Sequence, residues 1–208
     1  MRVERLGPYT LTVPEGVFPL GGDTLALGRF ATVRPRWRVC DLGTGSGALL
    51  LLLRGREPSL ELWGVERDGP SAAAARENLR QNALEGEILQ ADLRNAPLPA
   101  GRFDLAVANP PYFPQNSGRS GGPFREETFC TLSQLCAAAA RLVRNGGRFA
   151  LCHRPERLCD VVCALRESGL EPKRLQMSGR PGCPPAVLLV EAVRQGCPGV
   201  EVLPPGEV

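Results

Sequence analysis

Short apolar runs, each cut off by glycine, proline or an acidic residue, alternate along this chain with stretches whose apolar positions recur at helical spacing. Runs at residues 37–42, 60–65, 87–91, 103–108, 148–152, 170–177 and 186–193 have strand length. Several lack the polar alternation of a half-exposed strand, which marks strands covered on both faces. A short helix is expected through Thr32, capped by Asp23 or Thr24, with Leu25, Leu27 and Phe30 toward the sheet. Another starts at Ala48, and others cover residues 72–82 and 156–168. A longer one runs from Thr128 to Arg144, where Leu132, Leu135, Cys136, Ala139 and Leu142 share a face and Asn145-Gly146-Gly147 ends it. Strands and helices in alternation predict an α/β fold with a mostly parallel sheet.

The flanks are less regular. Residues 1–22 are punctuated by Gly and Pro with a short hairpin around Tyr9 to Val13, residues 178–185 fit a closing hairpin, and little periodicity follows Gln195. The expected organisation is one domain, with a capping segment at 1–35, a core at 36–193 and a tail at 194–208.

Composition narrows the classes. A chain of 208 residues with 43% hydrophobic content suits one domain around one sheet. A net charge of +3 gives no global basic field; every basic residue except Lys173 is Arg, which reads first as codon bias and alternatively as guanidiniums that grip phosphate. The eight cysteines contain no Cys-x-x-Cys pair, so the expectation is no metal and buried thiols in a reducing cytoplasm. No apolar segment follows Met1, and residues 48–53 are too few to cross a bilayer, so neither a secretion signal nor a membrane span is expected.

The first strand runs into Asp41-Leu42-Gly43-Thr44-Gly45-Ser46-Gly47 and then a helix. Such a turn brings Gly43, Thr44, Gly45 and Gly47 close to a nucleotide at a helix N-terminus. A nicotinamide dinucleotide would fit the glycine spacing, but Asp41 repels a pyrophosphate and attracts a cationic amino group, which suits S-adenosylmethionine. Glu66, 19 positions after Gly47, ends the second strand beside Arg67 and is placed to accept ribose hydroxyls. Asp92 could accept from an adenine amino group and the Leu93 N–H could donate to the ring; the plainer role for Asp92 is to start a turn.

The fourth strand ends in Asn109-Pro110-Pro111-Tyr112-Phe113. Two prolines stop the ladder at the edge where α/β folds bind ligands. The Asn109 side-chain carbonyl and the Pro110 backbone carbonyl could accept both N–H bonds of a conjugated amine and favour its pyramidal, nucleophilic form, while Tyr112 stacks on the planar group. Residues 114–127, rich in Gly, Ser and Arg, read as a lid in which Arg119 and Arg125 meet phosphate. His153, the only histidine, suits structural or substrate-positioning work better than base catalysis.

In this order, the loop, Glu66, Asp92 and the Asn109–Tyr112 tetrapeptide resemble the class I methyltransferases. That implies a Rossmann-like, seven-stranded, mostly parallel sheet with one antiparallel strand and helices on both faces. More narrowly, the chain resembles bacterial valine-tRNA adenine-N6 methyltransferases over residues 18–205. The shared stretches include Asn-Pro-Pro-Tyr-Phe at 109–113, Gly-Gly-Arg-Phe at 146–149, His-Arg-Pro-Glu-Arg-Leu at 153–158 and Gly-Leu-Glu-Pro-Lys-Arg at 169–174. The resemblance implies S-adenosylmethionine as methyl donor, S-adenosylhomocysteine as product, and tRNA as the RNA partner; the sequence leaves the oligomeric state open, with a monomer favoured. It also maps the family's early Asp onto Asp23, at the cofactor pocket, and places Phe113 against the substrate. The chain departs from the family at Phe124-Arg125-Glu126-Glu127, where relatives often carry Ala-Arg-His-Glu.

Three rivals remain. Release-factor glutamine methyltransferases share Asn-Pro-Pro-Tyr but carry an N-terminal helical domain, for which the residues before Asp41 leave no room. Guanine N2 is another flat amine, and a non-catalytic RNA-binding module could keep the fold.

Overall fold

The computed structural model describes residues 1–110, 130–180 and 182–207. In chain order it contains β1 (Arg2–Leu6), β2 (Tyr9–Val13), α1 (Gly22–Phe30), β3 (Arg38–Leu42), α2 (Ala48–Arg56), β4 (Glu61–Glu66), α3 (Gly69–Gln81) and β5 (Gly86–Gln90). There follow β6 (Phe103–Ala108), α4 (Leu132–Leu142), β7 (Val143–His153), α5 (Leu158–Glu167), β8 (Leu170–Gly179), β9 (Val187–Arg194), β10 (Glu201–Val202) and β11 (Gly206–Glu207).

The large sheet has the order β10-β8-β9-β7-β6-β3-β4-β5, with β9 antiparallel to both its neighbours. Its seven long strands, one of them reversed, are the class I methyltransferase architecture expected from the sequence. Successive residues of the central strands feed opposite layers. Val39, Leu105 and Val107 pack toward α1, α2, α3 and the β1–β2 hairpin, whereas Cys40, Ala106 and Ala108 pack toward α4 and α5. Burial on both sides explains why these strands read as continuous apolar runs.

From β3 the chain steps outward to β4 and β5, then returns to lay β6 on the other side of β3. The helices α2 and α4, which follow β3 and β6 in the chain, lie on opposite faces of the sheet, an arrangement that opens a crevice at the C-terminal ends of these strands. Everything that lines the candidate site is gathered around that crevice.

Amide side chains close the open edge of β2. Thr12 N donates to Asn78 Oδ1 (2.8 Å) and Asn78 Nδ2 to Thr12 O (2.9 Å); Asn82 repeats the pattern on Thr10. Asn78 Nδ2 also reaches Ser46 O at 2.8 Å, tying the hairpin to the glycine loop.

Several boundaries differ from the sequence reading. Gly21 is the cap of α1, with no side-chain hydrogen bond, and the helix ends at Phe30, so neither Asp23 nor Thr24 caps it. Among the described residues α4 starts at Leu132 behind a Thr131–Gln134 capping box; Thr128 lies outside them. β7 begins at Val143 rather than at Arg148, because Val143 already pairs with Phe103 before the register shifts through Asn145-Gly146-Gly147. The tail supplies β10 and β11, both parallel to β8, two-residue strands too short to leave any periodicity. Cys40, Cys136 and Cys152 are buried as expected, but Cys159, Cys163, Cys183 and Cys197 are exposed. Among the described residues no helix is long and apolar enough to cross a membrane.

Glu191 of β9 is fully buried and joins α1 to the sheet. It accepts from Thr32 N (2.7 Å), Thr32 Oγ1 (2.8 Å) and Arg148 (2.6 Å), with Arg174 at 3.4 Å. Removing the carboxylate leaves these donors desolvated without an acceptor, a defect that typically costs about 3–5 kcal/mol. Glu191→Ala is thus expected to lower the unfolding free energy by about 3 kcal/mol in urea melts, near the lower end because both arginines are partly exposed.

Candidate active site

A cavity of about 600 Å³ lies at the C-terminal ends of β3, β4 and β6, a size that holds a nucleotide-like ligand. Among the residues singled out in the sequence, Asp41, Gly43, Thr44, Gly45, Glu66, Arg67, Asp92, Leu93, Asn109 and Pro110 line it. Asp41 and Asn109 therefore flank one space, Asp41 on β3 and Asn109 just past β6.

The glycine loop is held rigidly. Gly43 N and Thr44 N donate to Val65 O, and Gly45 N donates to Glu66 Oε2 at 2.8 Å. Gly43, Gly45 and Gly47 take φ values of 80°, 55° and 83°, where a side chain would be strained. Gly47 does not line the cavity. It precedes α2 at a left-handed φ that glycine adopts without strain, and a Cβ there would lie at contact distance, 3.4 Å, from Ala75 of α3. No side chain caps α2, and the cavity is lined by its first residues, Ala48 and Leu49, at the positive end of the helix.

Asp41 is 1% exposed. Its Oδ2 accepts from Thr44 Oγ1 at 2.7 Å, while Oδ1 meets no hydrogen-bond donor among the described residues. Burial pushes its pKa up to about 7, helped by the Glu66 carboxylate and opposed by the Thr44 hydroxyl. A buried carboxyl with one oxygen lacking a donor is an unusual feature in a folded chain, and it stands in the wall of the cavity.

Glu66 and Asp92 are less available than the sequence suggests. Glu66 accepts from Gly45 N and, through Oε1, from Asp68 N at 2.9 Å. Asp92 caps a short 3₁₀ turn, accepting from Arg94 N at 3.0 Å, and both its oxygens are engaged by the Arg94 guanidinium, which holds its carboxyl below the usual range. The turn-starting role is thus present, and any ligand contact would use the remaining lone pairs.

Asn109 is held at both ends of its amide. Nδ2 donates to Thr24 Oγ1 at 2.9 Å, and Oδ1 accepts from Cys152 Sγ at 3.1 Å. His153, the next residue of β7, is 2% exposed and also lines the cavity. Its Nδ1 accepts from Arg154 N at 2.9 Å, and burial, with Arg157 nearby, pushes its pKa down to about 4. A neutral imidazole that has spent Nδ1 in this way is a donor through Nε2, suited to positioning.

Asp23 does not reach the cavity. It sits in the first turn of α1, half-buried, and its neighbour Thr24 takes the wall together with Phe18, Pro19 and Leu20. The helical period puts adjacent residues on different faces, so the pocket falls to Thr24. Sequence reasoning missed Phe18, Pro19, Leu20 and Thr131 because nothing local marks them; only their apposition in space does. Tyr112, Phe113, Arg119, Arg125, Glu126 and the expected lid lie outside the described residues.

The model of the family described as "Methyltransferase small domain" matches residues 21–162. The chain belongs to this family. Over 140 residues it is 37% identical to the tRNA1(Val) (adenine(37)-N6)-methyltransferase of Enterobacter sp., covering 64% of this chain and 57% of that protein. It is 35% identical over 185 residues to the release factor glutamine methyltransferase of Mycolicibacterium smegmatis, covering 78% of this chain and 63% of the relative. The chain thus spans little more than half the length of the former. Among solved structures, the 16S rRNA N2 G1207 methyltransferase of T. thermophilus, in complex with AdoMet and guanosine, superposes with a TM-score of 0.64 at 26% identity. That match covers 89% of this chain and 47% of the other. The family match and the superposition both take in the α/β core that carries the crevice at the β3–β6 switch.

Proposed function

We propose that this chain is an S-adenosylmethionine-dependent N-methyltransferase acting on the exocyclic amino group (N6) of an adenine in RNA, with tRNA as partner, in the cytoplasm. The observation that carries the reading is the shared cavity, lined by the buried Asp41 from β3 and by Asn109 just past β6, with Asp41 Oδ1 lacking a donor among the described residues. The donor's chemistry matches these residues. Asp41 takes its ammonium group, the uncapped start of α2 its carboxylate, Glu66 its ribose hydroxyls, and Asp92 with Leu93 its adenine. The loop of Gly43, Thr44 and Gly45 supports the backbone of that contact, with Arg67 at the rim. Residues 1–35 cap the 36–193 core, in keeping with the cavity-facing positions of Phe18, Leu20 and Thr24.

S-adenosylmethionine supplies a methyl group already activated on sulfonium. The protein's work is to bring the acceptor nitrogen in line with it at roughly 3–3.5 Å. Asn109 Oδ1 and Pro110 O accept the two N–H bonds of the amine, so its lone pair leaves conjugation and points at the methyl carbon. Tyr112 and Phe113 stack on the base, which must leave its helix to enter. Arg119 and Arg125 hold flanking phosphates. His153, neutral at physiological pH, donates rather than abstracts; the proton on the methylated nitrogen leaves to solvent after transfer.

The test is nucleoside mass spectrometry of tRNA from cells with and without this protein. N6-methyladenosine that disappears from one tRNA on deletion, and returns when purified protein and S-adenosylmethionine are added, supports the proposal. Unchanged tRNA, with label transferred instead to a release-factor glutamine or to guanine N2, would overturn the adenine assignment.

A further inference from the structure

Asn109 is useful in the proposed reaction only one way round. If its carbonyl faces the amine it accepts an N–H; if the amide is flipped, Nδ2 meets another donor and repels it. Rotation of a terminal amide is soft, so the surrounding atoms must decide the orientation.

On the carbonyl side stands Cys152 Sγ at 3.1 Å, a weak donor to an oxygen that carries two lone pairs. On the nitrogen side stands Thr24 Oγ1 at 2.9 Å, a full-strength acceptor on a residue 7% exposed. Thr24 reaches Asn109 from α1, across 85 positions of sequence.

Helix α1 is itself fixed from three directions. Gly28 packs so tightly on α2 that a Cβ there would lie 2.9 Å from Leu52 Cδ1. Arg56 donates to the Gly28 and Ala31 carbonyls at the far end of the helix, at 2.5 and 2.7 Å. Thr32, just beyond it, is bound through N and Oγ1 to the buried Glu191. Thr24 is therefore a rigid post and not a mobile surface hydroxyl.

We infer that Thr24 is a positioning residue for methyl transfer: its hydroxyl accepts from Asn109 Nδ2 and so holds Oδ1 toward the acceptor amine. This role rests on the methyltransferase reading above and adds a second element, the capping segment, to the reacting geometry. Asn109 remains the residue that touches substrate.

Thr24→Val keeps the shape and removes the acceptor, while Thr24→Ser restores it. With full-length protein, labelled S-adenosylmethionine and tRNA from cells lacking this protein, Thr24→Val is expected to lower kcat about tenfold, the factor set by one neutral hydrogen bond. KM for each substrate should change by less than about threefold, and Thr24→Ser should recover kcat to within about threefold. In an Asn109→Ala background, Thr24→Val should have no further effect on the residual rate, because its only partner in the reaction is gone. Should Thr24→Val not fold, Thr24→Ala serves in the same comparison, since it introduces no clash. An undiminished kcat, or a loss equal in Thr24→Ser and Thr24→Val, would overturn the role and leave Thr24 a packing residue. Wild-type protein that transfers no methyl to tRNA would instead overturn the underlying reading, and this role with it.

Discussion

Asn109→Ala is expected to lower methyl transfer by at least about a hundredfold while leaving S-adenosylmethionine affinity within about threefold. The asymmetry follows from position. Asn109 stands past β6, across the cavity from the Asp41 side of the crevice, and its amide is oriented by Thr24 and Cys152 for an acceptor. Deleting it removes an interaction that matters most when the amine becomes pyramidal, so kcat falls and KM for the cofactor does not. Isothermal calorimetry together with single-turnover transfer separates the two quantities. Equal losses in both would mean that Asn109 serves the cofactor and not the acceptor.

Asp41→Asn is expected to do the reverse, weakening S-adenosylmethionine about thirtyfold or more at pH 8, the usual cost of losing one partner of a buried charge pair. The wild-type pH dependence follows from burial. With a pKa near 7, Asp41 is largely ionised at pH 8 and largely protonated at pH 6. A cation needs the ionised form, so wild-type affinity should drop by about tenfold over that interval through Asp41 alone, whereas Asp41→Asn lacks this component.

Stability without ligand runs the other way. The folded pKa lies above the unfolded one near 3.9, so the contribution of Asp41 is fully present below about pH 4 and is lost as pH rises through about 7. Calorimetric titrations and thermal melts at pH 5, 6, 7 and 8 measure both trends. A pH-independent difference between wild type and Asp41→Asn would contradict the assignment of this carboxyl.

Much of this was legible in the sequence because each signal was local. The apolar runs mark strands buried on both faces, and the prolines after Asn109 end one of them where the chain must turn away. Asp41 and the glycines after it belong to the same short turn. The positive φ values of Gly43, Gly45 and Gly47 are ones that glycine adopts without strain.

What sequence reading missed depends on contacts far apart in the chain. Thr24 and Asp23 are neighbours and equally polar; only the docking of α1 on α2 and Glu191 shows that Thr24 faces Asn109. The engagement of Glu66 by Gly45, 21 positions away, also appears only in three dimensions, whereas Arg94 engages Asp92 from two positions on, within the turn that the sequence suggested. The strands β10 and β11 escape because two residues hold no period, and their pairing is supplied by the edge of β8.

The central claim is that a cationic methyl donor and a flat amine meet between Asp41 and Asn109. A crystal structure with S-adenosylhomocysteine tests it most directly. The product's amino group should lie within hydrogen-bond distance of Asp41 Oδ1, with its sulfur turned toward Asn109. Density for the ligand elsewhere, or bound with Asp41 Oδ1 still lacking a donor, would contradict it.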